Sequence, residues 1–287
     1  MESIIRIKHL RKVYHMGGEK VIALGDINLE IAKGDICCIL GTSGSGKSTL
    51  LNQLAGLEKP TKGSVYIKKV NISKMDENRL AKFRQANLGF VFQSYNLMAG
   101  MTALENVSMP LMFQGQSRRK RSKAARLMLD KVGLKSRARH KPTQMSGGQQ
   151  QRVGIARACV GKPDIIFADE PTGNLDTKTT KEVMELMVSM SRQNNQTIVL
   201  VTHNVELSDY ADRIITLVDG AIVGDRENVS IYWPKGEEKP TPKAPAPSGN
   251  DAREGGDGAE GPAQAQQPPE VPAEKAEVEP QPAAAQV

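Results

Sequence analysis

The sequence predicts an α/β fold built on a largely parallel sheet, and three observations lead to that reading. A glycine-rich loop, Gly41-Thr-Ser-Gly-Ser-Gly-Lys47-Ser48-Thr49, follows the apolar run Ile36–Leu40 and opens a helical pattern through Leu50, Leu51 and Leu54. A second short apolar run, at 165–168, has the composition of a strand buried on both faces, as does a third at 197–201. Each ends in polar chemistry, Asp169-Glu170 after the former and His203 after the latter, at the sheet edge where ligands of open α/β folds bind.

Taken in chain order, short strands are expected at 4–10, 27–31 and 64–67, forming an antiparallel edge beside the loop. A further strand is expected at 88–92. Between Gln93 and Ser146 the pattern turns helical, with one helix over 103–113 and another over about 119–132, separated by Gly115-Gln-Ser117. In the second of these, Leu127, Met128 and Val132 recur at helical spacing and are expected to face inward, with Lys and Arg opposite. A last long helix spans about 180–192, and closing strands fall at 214–218 and 221–223.

The loop chemistry is that of a phosphate cradle. Gly41, Gly44 and Gly46, with Thr42, Ser43 and Ser45 between them, let the backbone turn tightly enough for successive N–H groups to surround β- and γ-phosphates. The following helix N-terminus adds unpaired donors and partial positive charge. Lys47 is placed to bridge phosphate oxygens, and the Ser48 hydroxyl, with Thr49 beside it, to complete the coordination of Mg²⁺. Asp169 is the expected second Mg²⁺ ligand. Glu170, one residue on, is the expected general base toward an attacking water.

These motifs together resemble the ATP-binding cassette (ABC) ATPases over roughly residues 4–225. The resemblance implies a P-loop cassette with a RecA-like core, an antiparallel β subdomain and an α-helical subdomain inserted at about 97–158. Met145-Ser146-Gly147-Gly148-Gln149 is similar to the family signature, which binds the γ-phosphate of ATP held by an opposite subunit; Met145 stands where the family usually has Leu. Gln93 resembles the glutamine that touches Mg²⁺ and communicates with a membrane partner. Asn174-Leu-Asp176 resembles the D-loop, His203 the switch histidine and Tyr14 the aromatic that stacks on adenine. Within the superfamily, the stretches at 14–24, 89–97, 102–107 and 168–176 look like the branch of macrolide-export and lipoprotein-release ATPases.

That resemblance implies an ATP-hydrolysing homodimer that closes on ATP and Mg²⁺. It further implies a peripheral position on the cytoplasmic face of the cell membrane and a separate permease subunit with an extracytoplasmic domain. The same branch contains cell-division cassettes that signal mechanically and transport nothing, which is the alternative reading. A DNA-repair cassette would need a long coiled coil between Lys47 and Ser146, and a translation factor a second cassette; the sequence has neither.

Composition agrees with one cassette domain. No run approaches the roughly eighteen apolar residues that cross a bilayer. The start Met1-Glu-Ser-Ile-Ile-Arg lacks a signal-peptide pattern, so a spanning part is expected on another chain. Cys37, Cys38 and Cys159 fall in apolar segments without ligand spacing and read as buried small hydrophobes in a reducing compartment.

The net charge of +7 is uneven. From Lys235 onward there are five basic and ten acidic residues, leaving 34 basic and 22 acidic before that point, so a −5 tail follows a +12 body. Ten of the sixteen prolines also lie in that tail, whose apolar content is too low to offset ordering entropy; it is expected to be disordered, with the domain running over 1–233 and the tail over 234–287. A tether, an autoregulatory arm and a solubilising tail are all consistent with this composition.

The basic cluster Arg118-Arg-Lys-Arg121, Lys123 and Arg126 lies in the helical segment. It fits either a solvated face or an anionic leaflet, where each charge contributes about 1 kcal/mol. No aromatic platform interleaves it, which argues against nucleic acid.

Overall fold

The computed structural model describes residues 2–232, in two sheets and seven α-helices among those residues. The chain begins with a long antiparallel hairpin, β1 (Ser3–Met16) and β2 (Glu19–Ala32). Gly17-Gly18 closes it as a two-residue turn, both residues at positive φ, which a primed hairpin turn requires. Strands β4 (Lys62–Ile67) and β5 (Val70–Asn71) complete a four-stranded sheet of order β2-β1-β4-β5. The sequence places short strands here; the structure runs β1 and β2 to 14 residues each. Their outer halves around Arg11–Tyr14 and Lys20–Ile22 are exposed or half-buried, so they carry no hydrophobic alternation to read.

The central sheet has six strands in the order β10-β9-β3-β8-β7-β6. Strands β3 (Ile36–Leu40), β6 (Leu88–Phe92), β7 (Ile165–Asp169), β8 (Thr197–Thr202) and β9 (Arg213–Val218) run parallel, and β10 (Ala221–Glu227) is antiparallel at the edge. Their continuous apolar runs are explained by burial on both faces. Cys38, Ile166, Ala168, Ile198 and Leu200 face one core shared with the later helices, while Cys37, Ile39, Ile165, Phe167, Val199 and Val201 face a second core shared with the antiparallel sheet. All three thiols are free and buried; burial pushes those of Cys38 and Cys159 up to about 12 and raises that of Cys37 as well, so they stay neutral and act as small hydrophobes.

Helix α1 (Lys47–Leu54) follows β3, and α2 (Glu77–Asn87), which the sequence reading did not anticipate, precedes β6. Between β6 and β7 lie α3 (Ala103–Phe113), α4 (Arg118–Lys131) and α5 (Gly147–Cys159). Helix α3 starts with a full capping box between Thr102 and Glu105, a sequence-legible start signal. In α4 the inward residues are Ala125 and Leu129, with Val132 just beyond; Leu127, expected to face inward, is 57% exposed among the basic residues. The error is one of phase: Met128 packs against the core, but Leu127 sits about half a turn from the stripe that Ala125 and Leu129 define. Helices α6 (Thr177–Asn194) and α7 (Val205–Ser208) complete the order. The boundary at 233–234 and the tail assignment lie outside the described residues.

No helix of the described residues is long and apolar enough to cross a membrane.

Candidate nucleotide site

Register places the chemistry on one edge of the central sheet. Phe92 pairs with Asp169, Asp169 with Val201, and Leu40 with Thr202, so Gln93, Glu170, His203 and the Gly41 loop all leave neighbouring parallel strands at the same level. Beneath that edge lies a cleft of about 460 Å³ lined by Ser43, Gly44, Gly46, Lys47, Ser48, Thr49, Glu170 and His203. Its far wall comes from the antiparallel sheet at Val21 to Ala23 and from the turn Asp219-Gly220.

The loop is shaped by close approach. Gly46 has φ 98°, and a Cβ there would stand 2.6 Å from the Ala23 carbonyl oxygen; Gly220, at φ 73°, meets the same oxygen at the same distance. The Gly220 amide donates to the Ser45 carbonyl at 3.0 Å and the Gly25 amide to the Gly220 carbonyl at 2.9 Å. The two sheets therefore meet through backbone at the loop itself, and side chains at these glycines would push them apart. Because α1 has Gly46 at its N-cap and no side-chain cap, its first-turn amides have no side-chain partner among the described residues, and Lys47, Ser48 and Thr49 all line the cleft. Lys47 is 8% exposed and donates to the Thr42 carbonyl at 2.7 Å, bracing the loop across its mouth. The hydroxyl of Ser45 is buried without a partner among the described residues. A concave nest of free amides beside one lysine fits a polyphosphate and little else of comparable size.

Glu170 is held by three donors or ring atoms. The Thr202 hydroxyl donates to Oε2 at 3.0 Å, the His203 amide donates to Oε1 at 3.0 Å, and His203 Nδ1 lies 2.7 Å from Oε1. Its backbone sits at φ 45°, a left-handed conformation that a glutamate adopts only under constraint. Thr202 is the residue sequence reasoning missed here; its signal was its place at the end of a core strand, one before the histidine. Asp169 is half-buried, and burial followed by the neighbouring Glu170 charge raises its pKa, against the opposing pull of Lys47. Such a carboxylate is ionised most readily when a cation approaches. Among the described residues no three His, Cys, Asp or Glu side chains form a metal cluster. Mg²⁺ in nucleotide sites is held by one or two protein oxygens plus phosphates, so the hydroxyl of Ser48 and the carboxylate of Asp169 are a fitting donor set.

Ser146, Gly147, Gly148 and Gln149 form the start of α5 with a capping box: the Ser146 hydroxyl accepts from the Gln149 amide at 3.3 Å, and the Ser146 amide donates to Gln149 Oε1 at 3.2 Å. None of the four lines the cleft. Gln93 is exposed, and its carbonyl accepts from Asn174 Nδ2 at 3.1 Å while its side chain lies over Gly173. Asp176 caps α6, accepting from the Thr179 amide at 3.0 Å and the Thr179 hydroxyl at 2.6 Å; these bonds hold its carboxyl below the ordinary aspartate range. Tyr14 also stands apart from the cleft lining: its hydroxyl donates to Glu58 at 2.7 Å and Lys12 Nζ sits 5.0 Å from its ring centre. One chain thus brings together the loop, Glu170 and His203, and leaves the signature, Gln93, Asp176 and Tyr14 outside.

Residues 24–173 match the family model described as ABC transporter. The lipoprotein-releasing system ATP-binding protein LolD of Geobacter metallireducens is 45% identical over 225 residues, 78% of this chain and 100% of its own length. The macrolide export ATP-binding/permease protein MacB of Shewanella sp. is 44% identical over 227 residues, 79% of this chain and 34% of its own length. Among solved structures, the ATP-binding cassette MJ0796, as a dimer in a post-hydrolysis state bound to ADP and Pi, superposes with a TM-score of 0.73 at 43% identity, covering 78% of this chain and 98% of that one.

Proposed function

The chain belongs to the ABC transporter family as an ATP-hydrolysing cassette, and we propose that two copies close head to tail on ATP to power export or extraction through a separate membrane subunit. The observation that carries this reading is the division of the site: the phosphate loop, Glu170 and His203 share one cleft, while the Ser146 helix start stands outside it, exposed and presenting N–H groups to something else. The dimeric state of the similar cassette supports a second copy as that something.

In this reading the free amides of α1 and Lys47 grip the β- and γ-phosphates, and Ser48 and Asp169 would hold Mg²⁺, which supplies charge neutralisation when bound. Gln93 would add a third oxygen as the subunits close, and Asp176 would sit at the contact between them. Glu170 takes the proton of the attacking water, with Thr202 and His203 fixing its two oxygens before the reaction starts. His203 moves with the γ-phosphate it faces. Tyr14 receives adenine on the ring face that Lys12 now covers, once Lys12 gives way.

The membrane subunit, one with an extracytoplasmic domain, docks beside Gln93, where Phe90, Phe92, Pro110 and Arg157 line a groove of about 250 Å³ between β6, α3 and α5. The place of work is then the cytoplasmic face of the membrane. The test is reconstitution: ATPase of the full chain alone is expected to be weak and to rise when its cognate membrane subunit is added in lipid. Equal turnover with and without every such partner contradicts the transport role and leaves the ATPase standing.

A further inference from the structure

Helix α5 does more than present Ser146. One turn further on, Gln151 is fully buried, and its Nε2 donates to the Pro171 carbonyl at 2.5 Å. Pro171 directly follows Glu170 and is itself buried, so its carbonyl has no water to turn to. Around this point the chain is bent hard. Glu170 sits at φ 45°, its amide donates to Val201 at 2.9 Å, and the Gly173 amide donates back to the Glu170 carbonyl at 3.1 Å. The Glu170 side chain is fixed from the front by Thr202 and His203, and the turn behind it is fixed by Gln151. The oxygen of the Gln151 amide, Oε1, is buried with no partner among the described residues, a cost tolerated for the single bond to Pro171.

Lower on the same helix, Arg157 donates through Nη2 to the Tyr95 carbonyl at 2.9 Å and through Nη1 to the Asn96 carbonyl at 2.5 Å. These two residues, at φ 60° and 48°, form the bend after Gln93. A single rigid helix therefore ties its own N-terminus, the Gln93 bend and the Glu170 turn together.

We infer that Gln151 is a positioning residue for Glu170, setting the place of the catalytic carboxylate from the helix whose first turn faces the opposite subunit. The inference rests on Glu170 acting as the base proposed above. Glu170 keeps its own bonds to Thr202 and His203 without Gln151, so ATP binding is retained and the loss falls on turnover. A carboxylate displaced by a fraction of the distance to its water loses most of its effect.

The test uses the full chain and four proteins: the parent, Glu170→Gln, Gln151→Leu and the double variant. Each is measured for kcat at saturating ATP, for ATP Kd and for Tm. Gln151→Leu is expected to lower kcat about ten- to a hundredfold with Kd within about twofold of the parent. In the double variant the losses are expected not to add, because a misplaced base and an absent base are the same defect. Slow Glu170→Gln beside normal Gln151→Leu overturns this inference alone, as do fully additive losses. Normal turnover in Glu170→Gln removes the base assignment and the inference with it. Gln151→Met, which keeps the unbranched shape, stands in should Leu prevent folding. Should neither fold, side-chain amide exchange in the parent decides: slow exchange at Gln151 supports the tie to Pro171, and exchange as fast as at surface glutamines overturns it.

Discussion

Two helix starts in this molecule look alike in sequence and are built in opposite ways. Helix α1 follows Gly44-Ser-Gly46 and α5 follows Ser146, each a small-residue lead into a helix. At α1 the N-cap is a left-handed glycine with no side-chain bond, and the lysine after it is buried. At α5 the N-cap serine and Gln149 satisfy each other's amides in a closed box on an exposed surface. The first end is unfinished without a ligand. At the second, the capping box takes the Ser146 and Gln149 amides, which leaves those of Gly147 and Gly148, with the helix dipole, for an approaching anion. In the proposed function, a loop of the first kind stores a nucleotide, and a loop of the second kind recognises one that the other subunit has stored.

The largest effect that probes this difference is on Glu170, the residue proposed above as the base toward the attacking water. Glu170→Gln is expected to slow turnover about 10²- to 10⁴-fold while ATP binding persists, and an ATP-bound dimer should accumulate on size exclusion. Near-parental turnover would remove Glu170 from the reaction.

Next comes the open end. Gly46→Ala forces a Cβ against the Ala23 carbonyl at 2.6 Å in a left-handed backbone, and should cost about 1–3 kcal/mol of stability and abolish nucleotide binding. Ser146→Ala, at the closed end, should cost only about 1 kcal/mol by loss of the cap and leave ATP affinity of the isolated chain unchanged. Thermal melts and nucleotide titration separate the two. Equal loss of affinity in both would mean that the two ends do the same job.

The smallest effect is electrostatic. Burial and the Glu170 charge raise the Asp169 pKa, so the ionised form destabilises the folded, nucleotide-free protein as pH rises through its titration. Asp169→Asn should therefore melt slightly higher than the parent at neutral pH. The gain should vanish as pH falls and the parent's Asp169 protonates, whereas Mg²⁺-dependent turnover is lost at every pH. A gain that grows on acidification would reverse the assigned sign.

Much of the site was legible because its strands are buried on both faces and its loops are punctuated by glycine. Strands β3 and β6, helix α3 and the phosphate loop fall where the apolar runs, the helical pattern and the glycines put them. What the sequence hid has one physical pattern: features that bury little. Helix α2 hides only Leu80, so no apolar stripe announces it, and the outer hairpin of β1 and β2 is exposed or half-buried, with no buried face. Leu127 misled because a lone exposed leucine on a basic helix mimics the phase of a core face. Gln151 was silent for a different reason. A glutamine among three in a row carries no mark of burial, and its bond to Pro171 depends on the distance between two elements that only the fold brings together.

The account's central claim is that each working site takes its phosphate loop from one chain and its Ser146 helix from another. Subunit mixing tests it directly. Ser146→Arg leaves the cleft intact and blocks the anion seat at α5, and Lys47→Ala does the reverse; each alone should be inactive. In an equal mixture half of the pairs carry one of each, and every such pair has one intact composite site, so activity should return to at most about a quarter of the parent rate. Full activity of Ser146→Arg on its own, or a mixture no faster than its two components, would contradict the claim.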